Sequence, residues 1–155
     1  ETASTLLGTG LFAGIKDSSG SMDLFHGLQS VKNRVPFRLL VGHDAIFAQA
    51  RAEGADGVVS GTAGVIPELL AALDCAVRVR DNGRCDRLNA RLQEFVAWID
   101  LLPFPLALKE AVSVRGLRAG PPGSPPGQST RKKADEFREW FQGWLPVVLK
   151  EVAGR

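Results

Sequence analysis

The 155-residue chain contains no tyrosine, a single methionine, two cysteines and two histidines. With no phenol present, a proton relay built on tyrosine would have to come from outside these residues. The cysteines, Cys75 and Cys85, lack metal-ligand spacing, and we read them as reduced helix residues on either side of an Asn82-Gly83 turn. No apolar stretch reaches the roughly 18 residues of a membrane span. The start, ETAS, offers neither an initiator methionine nor a charged-then-apolar signal segment. The expectation is a cytoplasmic protein, with chain missing upstream. A net charge of +2 is too small to imply a nucleic-acid partner.

What is present begins with a lysine at the end of a short apolar run, LFAGIK at residues 11–16, followed at once by DSSG. A run of this kind between glycines reads as a strand buried on both faces. Burial disfavours the charged form of an amine, so a lysine held there can serve as a nucleophile that condenses with a ketone. The competing reading is a lysine that snorkels to solvent from a strand end.

Two further runs repeat the pattern: RLLVGHD at residues 38–44 and GADGVVSGTAG at residues 54–64. Each is followed by a helical pattern, which gives the strand-helix alternation of successive βα units in a parallel sheet. In this order GIKDSSG, VGHD and GADGVVSGTAG with Pro67-Glu68 resemble the dihydrodipicolinate synthase and N-acetylneuraminate lyase family of class I aldolases. The likeness is strongest over residues 11–68 and looser after about residue 118. It implies an α/β fold, the C-terminal half of a (β/α)8 TIM barrel. Strands six to eight would lie at residues 11–16, 37–42 and 57–60, with a C-terminal helical appendix. Residues 1–80 would supply the barrel portion and residues 81–155 the helices. A full barrel needs about 250 residues, so this half should not stand as a monomeric barrel. The missing N-terminal half, or a homo-oligomer (dimer or tetramer), is the expected partner.

The resemblance also implies a chemistry. Lys16 would form an imine with a 2-keto acid such as pyruvate, and no cofactor is needed because the protonated imine itself withdraws electrons. Ser18 matches a position whose hydroxyl faces the substrate tail, or it satisfies the loop backbone. Gly42 and Asp44 match a glycine and an acid that, in the sialic-acid-lyase branch, contact a polyhydroxylated tail. Asp44 could equally cap a helix over residues 45–53. His43 is a possible proton-transfer group. Ser60, Gly61 and Thr62 fall at the end of strand eight and complete the substrate-binding set, although Gly61 stands where the sialic-acid branch has serine. The family's tyrosine relay would lie upstream of Glu1, so the isolated chain is expected to be inactive or nearly so.

Two readings compete with a lyase. One is a non-catalytic family member or half-barrel assembly subunit. The other is a phosphate-binding α/β domain using residues 61–64 as an anion nest, although neither a Walker lysine nor a GxGxxG pattern accompanies it. The remaining chain is helical by periodicity. Ser21 caps a helix to about Lys32, Pro67 opens one with Leu69, Leu70, Leu73 and Val77 facing a core, and Cys85, Leu88, Leu92, Phe95 and Ile99 mark a longer one. Pro103-Phe104-Pro105 opens another, which ends near Gly116. A Pro/Gly/Ser-rich loop at residues 120–127 then leads to a last helix with Phe137, Trp140, Phe141, Trp144 and Val148 on one face.

Overall fold

The computed structural model describes residues 2–154. Three short parallel strands, β1 (Gly14–Asp17), β2 (Arg38–Val41) and β3 (Gly57–Val58), form a sheet in sequence order. The register pairs Lys16 with Leu40, and Leu40 with Gly57. Helix α1 (Thr2–Gly8) precedes β1, α2 (Met22–Lys32) joins β1 to β2, and α3 (Phe47–Ala52) joins β2 to β3. Helices α4 (Pro67–Arg78), α5 (Asn82–Ile99), α6 (Leu106–Val114) and α7 (Gln128–Val152) follow.

Side-chain alternation divides the sheet into two unlike faces. Leu39 and Val41 are fully buried with Phe25, Leu28 and Val31 of α2, and Ile15 packs against the same cluster. Lys16, Leu40 and Gly42 take the opposite face, where Lys16 is exposed and Leu40 half-buried. The first apolar run is therefore not a strand buried on both faces. Leu11 is 83% and Phe12 47% exposed, and strand pairing begins only at Gly14. Burial needs a second layer, and among the described residues helices cover one face of this sheet only.

Local signals explain most element ends. The Ser21 hydroxyl accepts the Leu24 N–H at 3.2 Å and caps α2. Pro67 occupies the first turn of α4, and Gly116, at φ 79°, ends α6. Two expectations fail. Asn82-Gly83 is the first turn of α5, not a break before it, because Asp81 supplies the cap by accepting the Arg84 N–H at 3.0 Å. Asp44 does not cap a continuous helix: a 3₁₀ turn, Asp44–Ile46, precedes α3, and the carboxylate is engaged elsewhere.

A second and larger core joins α3 through α7 and contains Leu69, Leu73, Leu92, Phe95, Phe137 and Phe141. Val58 and α3 touch both cores, so the sheet and the helical layers are coupled at β3.

At the N-terminal ends of the strands, Asp56 accepts from Lys32 Nζ at 2.6 Å, the Leu39 N–H at 2.7 Å and Arg38 Nη1 at 3.1 Å. Burial raises the pKa of this carboxyl, but the Lys32, Leu39 and Arg38 hydrogen bonds outweigh it and bring the pKa down from its ordinary 3.8 to about 2. A depressed folded-state pKa gives stability that is complete above the unfolded value and is lost as pH falls through the folded one. The shift corresponds to about 2 kcal/mol. Asp56→Asn is expected to cost about that much at pH 7, with the difference from the parent chain shrinking between pH 4 and pH 2. Urea unfolding across that range measures it, and a pH-independent difference would contradict the assignment.

Candidate active site

The sheet brings the three loops that follow its strands to one end. This is the end at which barrel enzymes place their reacting groups. After β1, the Asp17 carboxylate accepts the Ser19 N–H at 2.9 Å and the Ser19 hydroxyl at 3.0 Å, and Ser19 Oγ accepts the Ser21 N–H at 3.1 Å. This chain of short bonds turns the backbone toward α2 and fixes Ser18 beside β2. After β2, the Gly42 N–H donates to the Asp17 carbonyl at 2.6 Å, which extends the pairing one residue beyond the strands.

Gly42 is where Lys16 and Ser18 meet. A Cβ on Gly42 would fall on Ser18 Oγ and Lys16 Cε, so both side chains lie against its bare backbone. Glycine here permits the close approach of these side chains and is not demanded by the backbone, since its φ is not positive. If Lys16 is the imine-forming group that the family resemblance implies, Gly42→Ala should displace its stem and slow trapping of a 2-keto acid at least about tenfold. Unfolding free energy and trapping rate, measured together, check this: equal trapping in a folded variant would show that the lysine does not need this contact.

The next loop is arranged differently. Thr62 is fully buried, and its hydroxyl donates to Asp44 Oδ2 at 2.7 Å. Asp44 Oδ1 and His43 Nδ1 are buried and have no hydrogen-bond partner. The His43 ring lies against Gly20, which is at φ 72°. The Ser60 hydroxyl accepts the Ala63 N–H at 3.1 Å. Gly61 is exposed between them. Lys16, Ser18 and Gly42 thus form one contact group, and Asp44 with Thr62 forms a second, turned inward. The Asp44–Thr62 bond spans the ends of β2 and β3, and nothing in the spacing of the two residues announces it.

The elements behind the site are held by charge. Arg115, capping the C-terminus of α6, donates to Glu68 at the start of α4 at 2.9 and 2.6 Å. Those bonds hold the Glu68 carboxyl below its usual range and the Arg115 guanidinium above its own. Among the described residues there is no cluster of three metal-ligating side chains, and no helix is long and apolar enough to cross a membrane.

Residues 1–142 match the dihydrodipicolinate synthetase family. The chain belongs to that family. It is 31% identical over 120 residues to a 4-hydroxy-tetrahydrodipicolinate synthase of Xylella fastidiosa, covering 77% of this chain and 39% of that enzyme. Against a 2-dehydro-3-deoxy-D-gluconate/2-dehydro-3-deoxy-phosphogluconate aldolase of Thermoproteus tenax it is 32% identical over 117 residues, covering 75% of this chain and 38% of the aldolase. The structure of dihydrodipicolinate synthase from Bacteroides thetaiotaomicron superposes with a TM-score of 0.74 at 26% identity, over 84% of this chain and 46% of that one. The chain therefore spans less than half the length of these dihydrodipicolinate synthetase relatives, and its three-stranded parallel sheet with helices fits the C-terminal half of the family's barrel.

Proposed function

We propose that the protein containing this chain is a Schiff-base-forming lyase acting on pyruvate or another 2-keto acid, with Lys16 as the imine-forming nucleophile. The observation that carries this reading is the placement of Lys16. It lies one residue before the end of β1, on the face not covered by helices, with its stem laid against Gly42 and Ser18. The amine attacks the keto carbon, the keto oxygen leaves as water, and a protonated imine remains. Loss of a proton from the adjacent carbon to a general base gives an enamine, whose carbon forms a bond to an aldehyde carbon. The aldehyde oxygen takes a proton, and water releases the product and returns the amine. Run backward, the same steps cleave the bond. The imine is the electron sink, so no cofactor enters.

In this reading Ser18 and the Gly42 backbone line the approach to the imine. His43, Asp44, Ser60, Gly61 and Thr62 frame its far side. Residues 1–80 form the barrel portion and residues 81–155 the helices that buttress it. The base is not a tyrosine of this chain, because the chain has none. The face bearing Lys16 is closed by the remaining strands of the barrel, from the same protein or from a second chain, and the protein works as a soluble oligomer. Without those strands the chain is expected to be inactive or nearly so, since proton transfer alone contributes about 10²- to 10⁴-fold.

Borohydride reduction in the presence of pyruvate tests the proposal. A reduced pyruvyl group on the peptide carrying Lys16 is expected in the gene product that contains this chain. Labelling at another lysine, or none in a folded protein, would refute it. The half-barrel assembly reading is favoured only by the open sheet face, and an absence of trapping would leave it standing.

A further inference from the structure

On the β3 side of the candidate site three apolar side chains, Val59, Leu108 and Phe104, lie near Gly61. Val59, on the same face as Lys16, is 47% exposed. Its N–H donates to Val41 at 2.8 Å, which sets it beside Gly42. Two residues on, Gly61 is backed by α6 and the segment that enters it. A Cβ there would meet Leu108 Cδ1 at 2.7 Å and Phe104 Cε2 at 3.9 Å. Phe104 is itself 77% exposed. Of the two hydroxyls that flank Gly61, Ser60 accepts the Ala63 N–H, and the buried Thr62 is committed as a donor to Asp44. The other oxygen of Asp44 is sealed from solvent. Phe104 also lines a groove of about 540 Å³ on its other side, whose walls mix prolines with Lys109, Ser124 and Thr130. A substrate tail passing Gly61 therefore meets Val59, Leu108 and Phe104.

The structure assigns Leu108 and Phe104 to specificity: they form an apolar wall at Gly61 that selects an aldehyde partner with an unsubstituted or aromatic tail over a polyhydroxylated one. This rests on the Schiff-base reading of Lys16. Asp44 and Thr62 then act as a positioning pair that braces the β2 and β3 loops. A hydroxyl placed against the wall loses its water and gains no partner, a cost that falls on one substrate and not on the other.

The test compares propanal with glyceraldehyde, which share a carbon skeleton and differ in two hydroxyls, as partners of pyruvate in the gene product containing this chain. The parent protein is expected to favour propanal in kcat/KM by at least about tenfold. Gly61→Ser should depress both rates, because the new Cβ collides with Leu108. Gly61→Ser combined with Leu108→Ala should restore turnover and move the ratio about tenfold toward glyceraldehyde. The exposed Phe104→Ser, which does not threaten the fold, should move it in the same direction. A general loss of stability lowers both rates and leaves their ratio alone. Equal or better use of glyceraldehyde by the parent, or an unmoved ratio in both Phe104→Ser and the double variant, would overturn the wall while leaving pyruvate trapping at Lys16 intact. Absence of trapping would overturn the Schiff-base reading, and the wall with it.

Discussion

Lys16→Arg is expected to abolish pyruvate trapping and to lower lyase turnover by on the order of 10⁴-fold or more, as removal of a covalent nucleophile does. The fold should be untouched. Among the described residues Lys16 has no ion-pair partner, and it is exposed on the sheet face that helices leave uncovered, so arginine can follow the same path past Gly42. The guanidinium keeps the charge and the length of the side chain but stays protonated and cannot attack a carbonyl. Lys16→Ala should give the same chemical result with the charge removed. Agreement between the two variants would separate loss of the amine from loss of a cation that merely attracts the substrate carboxylate. Turnover within about tenfold of the parent in either variant would show that the imine forms elsewhere, or not at all. Peptide mapping after borohydride reduction, alongside circular dichroism of each variant, reads both outcomes.

The elements with strong local punctuation were legible from sequence. Ser21 before an amphipathic run, Pro67 in a first turn and Gly116 after a last one each act within a few residues, so their effect is written where they stand. The lysine motif could be located for a similar reason, since an apolar run, a glycine and a lysine define a strand end. Its surroundings could not. The expectation of a doubly buried strand assumed a second layer, and Leu11, Phe12 and Lys16 are exposed because the described residues supply helices on one face only. Asp44 illustrates a second limit. A carboxylate before a helix is a reasonable cap by local rules, but the buried Thr62 hydroxyl competes for it across the sheet and wins. The Asp56 cluster and the Leu108 contact with Gly61 are of the same kind. Each joins residues far apart in the chain, and only the packing of parallel strands and α6 brings them together.

Phe95→Ala should cause the largest loss of stability, about 3–5 kcal/mol, the usual cost of emptying a buried phenylalanine site. Phe95 is fully buried at the centre of the aromatic cluster, with ring centroids 6.1 Å from Phe137, 5.6 Å from Phe141 and 5.7 Å from Trp144. The neighbours cannot easily close the gap. Trp144 is tied by its indole N–H, which donates to Glu94 at 2.6 Å, and Phe137 and Phe141 sit on successive turns of one face of α7. A cavity that cannot collapse carries both the lost transfer energy and the lost dispersion contacts. The midpoint of thermal unfolding should fall by roughly 10 °C for a chain of this size. The consequence for function follows from where the two cores meet. Helix α4 packs on α5 and α7 and begins just after the loop that carries Ser60, Gly61 and Thr62, whereas Ile15 and the rest of the β1–β2 face belong to the other cluster. Hydrogen exchange should therefore rise first in α4 to α7 and in that loop, and later in β1 and β2. A loss below about 1 kcal/mol, or exchange that rises first in β1, would show that the helical core neither centres on Phe95 nor supports the β3 side of the site.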